Sequence, residues 1–298
     1  MYIFAAIKNN STRQEKEMKK FLLMIATVAL IAATVSCGND DEPERDKRVF
    51  TANEAMINHA YNTKTDAVLG MSATRCKLTV DTKNLPASLE LTYNDGQGEK
   101  TLTLDDLKAT TKDESLYKFS SASLSSLSGY VDLSQATSMR FRFTTSDGVR
   151  IISTTPEVFF LKNNTTIVYD DTTKTSTSEE PNYQFTIQPT GKTATVQVMN
   201  INHDKDLKYF ESITANNVPI TVTRDGFTIS GNNLPTTAIY RAYDFETGSS
   251  TMKSDKYPFK TFNATVDMAN DHLDATFMIG GSATVTATGS TYPDYRIN

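Results

Sequence analysis

Strand-length runs rich in Val, Ile, Thr, Phe and Tyr recur from residue 77 to residue 287, with tight-turn residues between them. Successive side chains of an extended chain point to opposite sides, so apolar and polar residues in alternation bury one face and leave the other wet. The runs at 77–80, 89–93, 101–104, 139–143 and 149–152 read as strands on this criterion, as do 158–161, 166–169, 183–187 and 195–201. Further runs at 220–222, 227–229, 262–268, 273–279 and 284–287 continue the pattern. Turn chemistry separates them at Asn94-Asp95-Gly96, Asp147-Gly148, Asp225-Gly226 and Gly280-Gly281, where Asn, Asp and Gly accept the backbone angles of tight hairpins. Only 51–61 and 121–127 hint at helix. The expected fold is all-β, with two antiparallel β domains, each barrel-like or a sandwich.

Several short strings occur twice in the same order, as a tandem duplication would produce. Ile57-Asn58-His59 returns as Ile201-Asn202-His203, and Asn84-Leu85-Pro86 as Asn233-Leu234-Pro235. Tyr130-Val131-Asp132-Leu133 is echoed by Thr265-Val266-Asp267-Met268. The polar run over 170–181 is the natural divider, either a linker or a long hairpin loop. The expected organisation is a first β domain over 49–170, a linker or loop over 171–181, and a second β domain over 182–298.

Met18-Lys19-Lys20 opens a different kind of segment. An apolar run over 21–35 follows, then Ser36-Cys37. A cationic start, an apolar core and a small residue at the cut make a secretory signal. The run is shorter than the roughly 20 residues that a membrane-spanning helix needs. Thr34-Val35-Ser36-Cys37 resembles the lipobox of Bacteroidetes surface lipoproteins. That resemblance implies a signal peptide over 18–36 and a lipid on Cys37 as first mature residue, with residues 1–17 lying ahead of the true start. Gly38-Asn39-Asp40-Asp41-Glu42 then opens an acidic tether over 37–48. An acidic cluster just after the lipid resembles the surface-export signal of the same lipoproteins, which implies an outer-membrane protein at the cell surface, with a periplasm-facing one as the alternative.

The second half carries a further resemblance. The run 195–201, Asn217-Val218-Pro219-Ile220-Thr221-Val222, Asp225-Gly226-Phe227-Thr228-Ile229-Ser230 and the stretch 262–281 follow in the order seen in lipocalin-like (calycin-like) small lipoproteins. Such a domain implies a barrel able to carry a small apolar molecule. An immunoglobulin-like sandwich fits the strand spacing nearly as well.

Catalytic constellations are scarce. The chain has three histidines, His59, His203 and His272, none within a Cys/His/acid cluster at metal-ligand spacing, so no metal site and no cofactor is expected. No nucleophile elbow, zinc-binding His pair or phosphate-binding Gly loop occurs. The acid pairs Asp40-Asp41, Asp105-Asp106 and Asp170-Asp171 read as surface carboxylates, and the loop acids Asp147, Asp225 and Asp267 as turn formers before calcium ligands. With Cys37 lipidated, Cys76 is the only thiol left, so no intrachain disulfide is expected, and its strand context reads as a small buried or half-buried side chain. A formal net charge of −5 without a basic block argues against nucleic acid as a partner.

The lipobox resemblance, the acidic tether, the strand-dense chain and the missing catalytic constellation together favour a lipid-anchored, non-enzymatic binding or adhesion module. Its partners would be the membrane through its lipid and a glycan, a host protein or a small apolar ligand. A lipocalin-like carrier and a structural subunit of a surface assembly are the alternatives. Tyr240, Tyr243, Tyr257, Phe259 and Phe262 form the one aromatic-rich stretch that could meet a sugar, or else fill a core. No binding residue is assigned.

Overall fold

The computed structural model describes residues 46–113, 115–133, 138–155, 157–161, 164–169, 175–177, 182–188, 190–203, 208–280 and 283–290. Eight consecutive strands form the first domain: β1 (Lys47–Asn62), β2 (Ala67–Asp81), β3 (Pro86–Asn94), β4 (Glu99–Asp113), β5 (Leu116–Ser121), β6 (Ser128–Asp132), β7 (Ser138–Thr144) and β8 (Val149–Thr154). Each pairs antiparallel with the next, and β1 also pairs with β8, which closes the barrel. Period-two alternation fills its interior with Met56, Leu78, Leu89, Leu91, Val131, Phe141, Phe143 and Ile151. Tyr93 meets Phe143 edge-on with centroids 5.2 Å apart.

The second domain is a 12-stranded antiparallel sheet. It contains β9 (Glu157–Leu161), β10 (Asn164–Tyr169), β11 (Thr175–Thr177), β12 (Asn182–Ile187), β13 (Thr193–His203), β14 (Lys208–Val222), β15 (Gly226–Leu234), β16 (Thr236–Asp244), β17 (Ser249–Asp255), β18 (Phe259–Asp267), β19 (His272–Ile279) and β20 (Ala283–Ser290). The order is β11-β10-β20-β19-β18-β15-β14-β13-β12-β9, and β16 and β17 branch from β14. Strands β9 and β10 are neighbours in the chain yet lie on opposite flanks of this order, and β9 comes within 8 Å of β20, so the sheet curls back on itself. Its interior is dense with rings. Phe259, Phe262 and Phe277 lie 5.1–5.3 Å apart, each fully buried.

The runs at 158–161 and 166–169 join the second sheet by pairing with β12 and β20. The changeover between domains therefore falls between Thr154 and Glu157, ahead of the polar run, and the expected end of the first domain at 170 moves forward. The helical hint at 51–61 is a strand as well. Ala52 and Met56 favour helix locally, but pairing on both edges, to β2 and to β8, decides the matter. The hint at 121–127 is the connection from β5 to β6. Of the twice-occurring strings, Asn84-Leu85-Pro86 joins β2 to β3 and Asn233-Leu234-Pro235 joins β15 to β16, while Asp132 and Asp267 each end a strand. Cys37, with the signal and most of the tether, lies outside the described residues.

The two β domains pack through one face. Ile57 and Ile152, on the outside of the barrel wall, belong to the apolar core of the second sheet. Around them the turns of the second sheet meet barrel arginines. Arg140 bonds Asp271 and the Met268 carbonyl, Arg142 donates to the same carbonyl at 3.0 Å, and Arg150 donates to Asp225 at 2.9 Å. The Tyr61 ring lies between the Arg150 and Arg224 guanidinium groups, at 5.1 and 5.4 Å. Gly191, at φ 65°, brings its turn against β2, where a Cβ would stand 2.5 Å from the Met71 carbonyl oxygen.

His59 sits inside this seam, fully buried. Its Nε2 donates to the Thr223 carbonyl at 2.8 Å, and among the described residues its buried Nδ1 has no partner. A proton on Nδ1 would bury a cation next to Arg150. Burial, and secondarily Arg150, lowers the His59 pKa below its usual 6.5, outweighing the Thr223 carbonyl and Asp225. The unfolded chain therefore takes up a proton first as pH falls through 6.5, and native stability drops there. Carboxylates such as Asp106, with lowered pKa values, act only at more acid pH, below their usual 3.8. Melting temperature should fall between about pH 7 and about pH 5. In His59→Gln, which keeps a donor toward Thr223 but cannot titrate, the fall should shrink; an equal fall in both proteins would contradict this assignment.

Candidate functional site

Strand β14 has to serve three partners. One edge pairs with β13; the other pairs with β16 from Lys208 to Ala215 and then with β15 from Ile220 to Val222. Residues Asn216–Pro219 lie between those two stretches without a partner on that edge, and Pro219 has no N–H to satisfy. Because β15 turns away to pair with β18, the branch β16–β17 diverges and a wedge opens at the fork.

The wedge is a half-open cleft of about 640 Å³. Thr214, Asn216 and Asn217 line it from β14, Asn233 from the end of β15, Pro235 from the turn after it, Thr236 and Thr237 from β16, Lys256 and Pro258 from the approach to β18, and Lys260 from its start. Local chemistry makes its shape. Asn217 and Asn233 hold positive φ, at 55° and 51°, a conformation that Asn tolerates and β-branched residues do not. Asn216 Oδ1 accepts from Thr195 Oγ1 at 3.1 Å. Thr236 Oγ1 donates to the Tyr257 carbonyl at 2.5 Å, which pins the loop between Lys256 and Pro258.

Beside the cleft an aromatic box stiffens this loop. Tyr257 packs on Phe210 at 5.2 Å and Tyr240 at 5.6 Å, both edge-on, and the Lys208 ammonium lies over the Tyr257 and Tyr240 rings while bonding the Tyr257 hydroxyl. The aromatic-rich stretch thus divides. Phe259 and Phe262 fill the core, Tyr240 and Tyr257 form the box, and Tyr243 is half exposed on the branch. Phe245, 66% exposed, touches Tyr243 with centroids 4.8 Å apart, and Met252 is 56% exposed nearby. Every residue of β17 is exposed, and among the described residues β17 pairs only with β16. Sequence reasoning missed this branch, because Ser249–Asp255 has no apolar alternation to report a strand.

The other singled-out residues go elsewhere. His59 lies in the seam, His203 ends β13, and exposed His272 faces Asp274 at 3.2 Å. Asp106 accepts from Ser121 Oγ and from the N–H and Oγ of Ser123, chiefly the Ser123 N–H, which lowers its pKa and folds the β5–β6 connection. Asp225 pairs with Arg150, and Asp267 accepts from Asn270 twice at 2.8 Å. Asp40-Asp41 and Asp170-Asp171 lie outside the described residues. Burial pushes the Cys76 thiol up to about 12, so it stays protonated and unreactive. Among the described residues no group of three His, Cys, Asp or Glu could hold a metal ion, and no helix is long and apolar enough to cross a membrane.

No protein-family model and no curated protein matches the chain. Among solved structures it is similar to isotype 1 transferrin binding protein B from serogroup B Neisseria meningitidis, at 9% identity and a TM-score of 0.24, over 81% of this chain and 75% of that one. A superposition that loose says nothing about function.

The cleft geometry has a direct test in its backbone. Asn217→Ala should destabilise the fold by about 1 kcal/mol through the left-handed conformation, whereas Asn217→Gly should cost less than about 0.5 kcal/mol. Urea unfolding of the two variants checks this. Equal losses would mean that the side chain, not the backbone, sets the stability there.

Proposed function

We propose that the chain is a lipid-anchored, non-enzymatic binding module of the outer membrane, attached through Cys37 and displayed at the cell surface, with the β14 fork as its recognition end. The observation behind this reading is the cleft itself, lined by amides, hydroxyls and two lysines and by no His, Cys, Asp or Glu. The carboxylates and histidine with resolved roles are engaged in turns and in the seam between domains. A carrier of small apolar cargo has less support, since contacting rings occupy the interior of the second sheet where cargo would lie.

Two measurements test the reading. The wild-type chain should take up radiolabelled palmitate and sediment with outer membranes, and Cys37→Ser should lose both. The purified full chain should hold a ligand from glycan or host-protein panels without consuming it. Steady turnover of a glycan or ester, abolished by a single substitution, would overturn the reading in favour of an enzyme.

A second reading, a structural subunit of a surface assembly, draws on the branch. Among the described residues strand β17 leaves its outer edge open, and Phe245 and Met252 expose apolar surface beside it. Open edges of this kind add strands from other chains. Antiparallel pairing of β17 with a second copy would join Met252 to Met252 across a two-fold axis. Sedimentation velocity should then give a dimer for the wild type and a monomer for Phe245→Ser/Met252→Lys; a wild-type monomer at every concentration would remove this reading.

A further inference from the structure

We infer that the fork cleft binds an acidic saccharide, a hydroxyl-rich ring bearing a carboxylate or a sulfate. The inference rests on the binding-module reading and names the ligand class of that same site. Size comes first: about 640 Å³ lies within the roughly 300–1,000 Å³ of ligand pockets and leaves room for a short oligosaccharide.

Charge comes next. The lining includes two cations, Lys256 and Lys260, and no Asp or Glu. Both lysines are exposed, and among the described residues neither ammonium makes an ion pair. A lysine ammonium offers three donors and no acceptor, so two of them at one cleft call for an anionic oxygen. On a chain of formal net charge −5 this is a local feature, and it attracts anions only at close range under physiological salt.

The neutral part of the lining decides between anions. Asn217 and Asn233 each present an amide that donates and accepts at once, Asn216 adds an amide whose oxygen already accepts from Thr195, and Thr237 adds a hydroxyl with the same double character. Sugar hydroxyls have the same double character, and a bare inorganic anion, which only accepts, would leave the amide oxygens unmatched. Pro235 and Pro258 offer C–H surface against which the apolar face of a pyranose ring can lie.

Isothermal titration calorimetry on the full chain tests the inference, using a uronate trisaccharide, a sialylated trisaccharide, a sulfated disaccharide, neutral lactose and inorganic sulfate. At least one acidic saccharide should bind, weakening as salt rises, with lactose and sulfate each weaker by tenfold or more. Lys256→Gln/Lys260→Gln should weaken it a further tenfold or more with unchanged melting temperature, since both side chains are exposed. Lys253→Gln on β17 should leave it unchanged. Which acidic arm responds distinguishes carboxylate from sulfate. Acidic saccharide binding untouched by the double variant would overturn the cleft assignment while leaving a binding module in place. Equal binding of lactose, or retention of a protein from the host panel with no saccharide binding, would overturn the ligand class.

Discussion

Strand β1 hydrogen-bonds on both of its edges, to β2 and to β8, and the architecture grows from the same demand made by every other strand. A buried backbone N–H or C=O without a partner costs about as much as a lost hydrogen bond. Eight strands in sequence meet that demand by closing on themselves. The next twelve meet it less completely. Their sheet curls until β9 approaches β20, but β14 must divide one edge between β16 and β15, and β17 is left with an open side. The cleft and the branch are both consequences of that division.

Between the domains the same economy works with side chains. The outward face of β1 and β8 would be wet in an isolated barrel; here Ile57 and Ile152 are part of the neighbouring core. Four arginines, Arg140, Arg142, Arg150 and Arg224, surround that apolar contact and are answered by Asp225, Asp271 and backbone carbonyls of the turns. A neutral His59 suits this cationic seam, and a protonated one does not. Stability and the fit between domains are thus tied to one imidazole.

Much of the fold was legible in particular residues. The runs at 77–80, 139–143 and 273–279 announced strands because each has one face against a core, which imposes period-two alternation. Asp147-Gly148 and Asp225-Gly226 announced hairpins through turn chemistry. A strand with both faces wet left no such trace: β17 is exposed throughout. The cleft was illegible for another reason. Asn217, Asn233, Lys256 and Lys260 come from three separate segments, and nothing local to any of them indicates that they share a space.

From the sequence alone came the all-β class, the hairpin turns, an inert Cys76 and the signal-like segment ending at Cys37, because each depends on near-neighbour chemistry: alternation, turn propensity, a thiol in a strand, a short apolar run before a cysteine. Tertiary structure decided where one domain yields to the next, that the first barrel closes, that His59 is buried in a seam, and that a fork opens on β14. Those outcomes depend on which strand edges find partners across long stretches of chain, and pairing over such distances is a property of the assembled sheet, which no short window of residues contains.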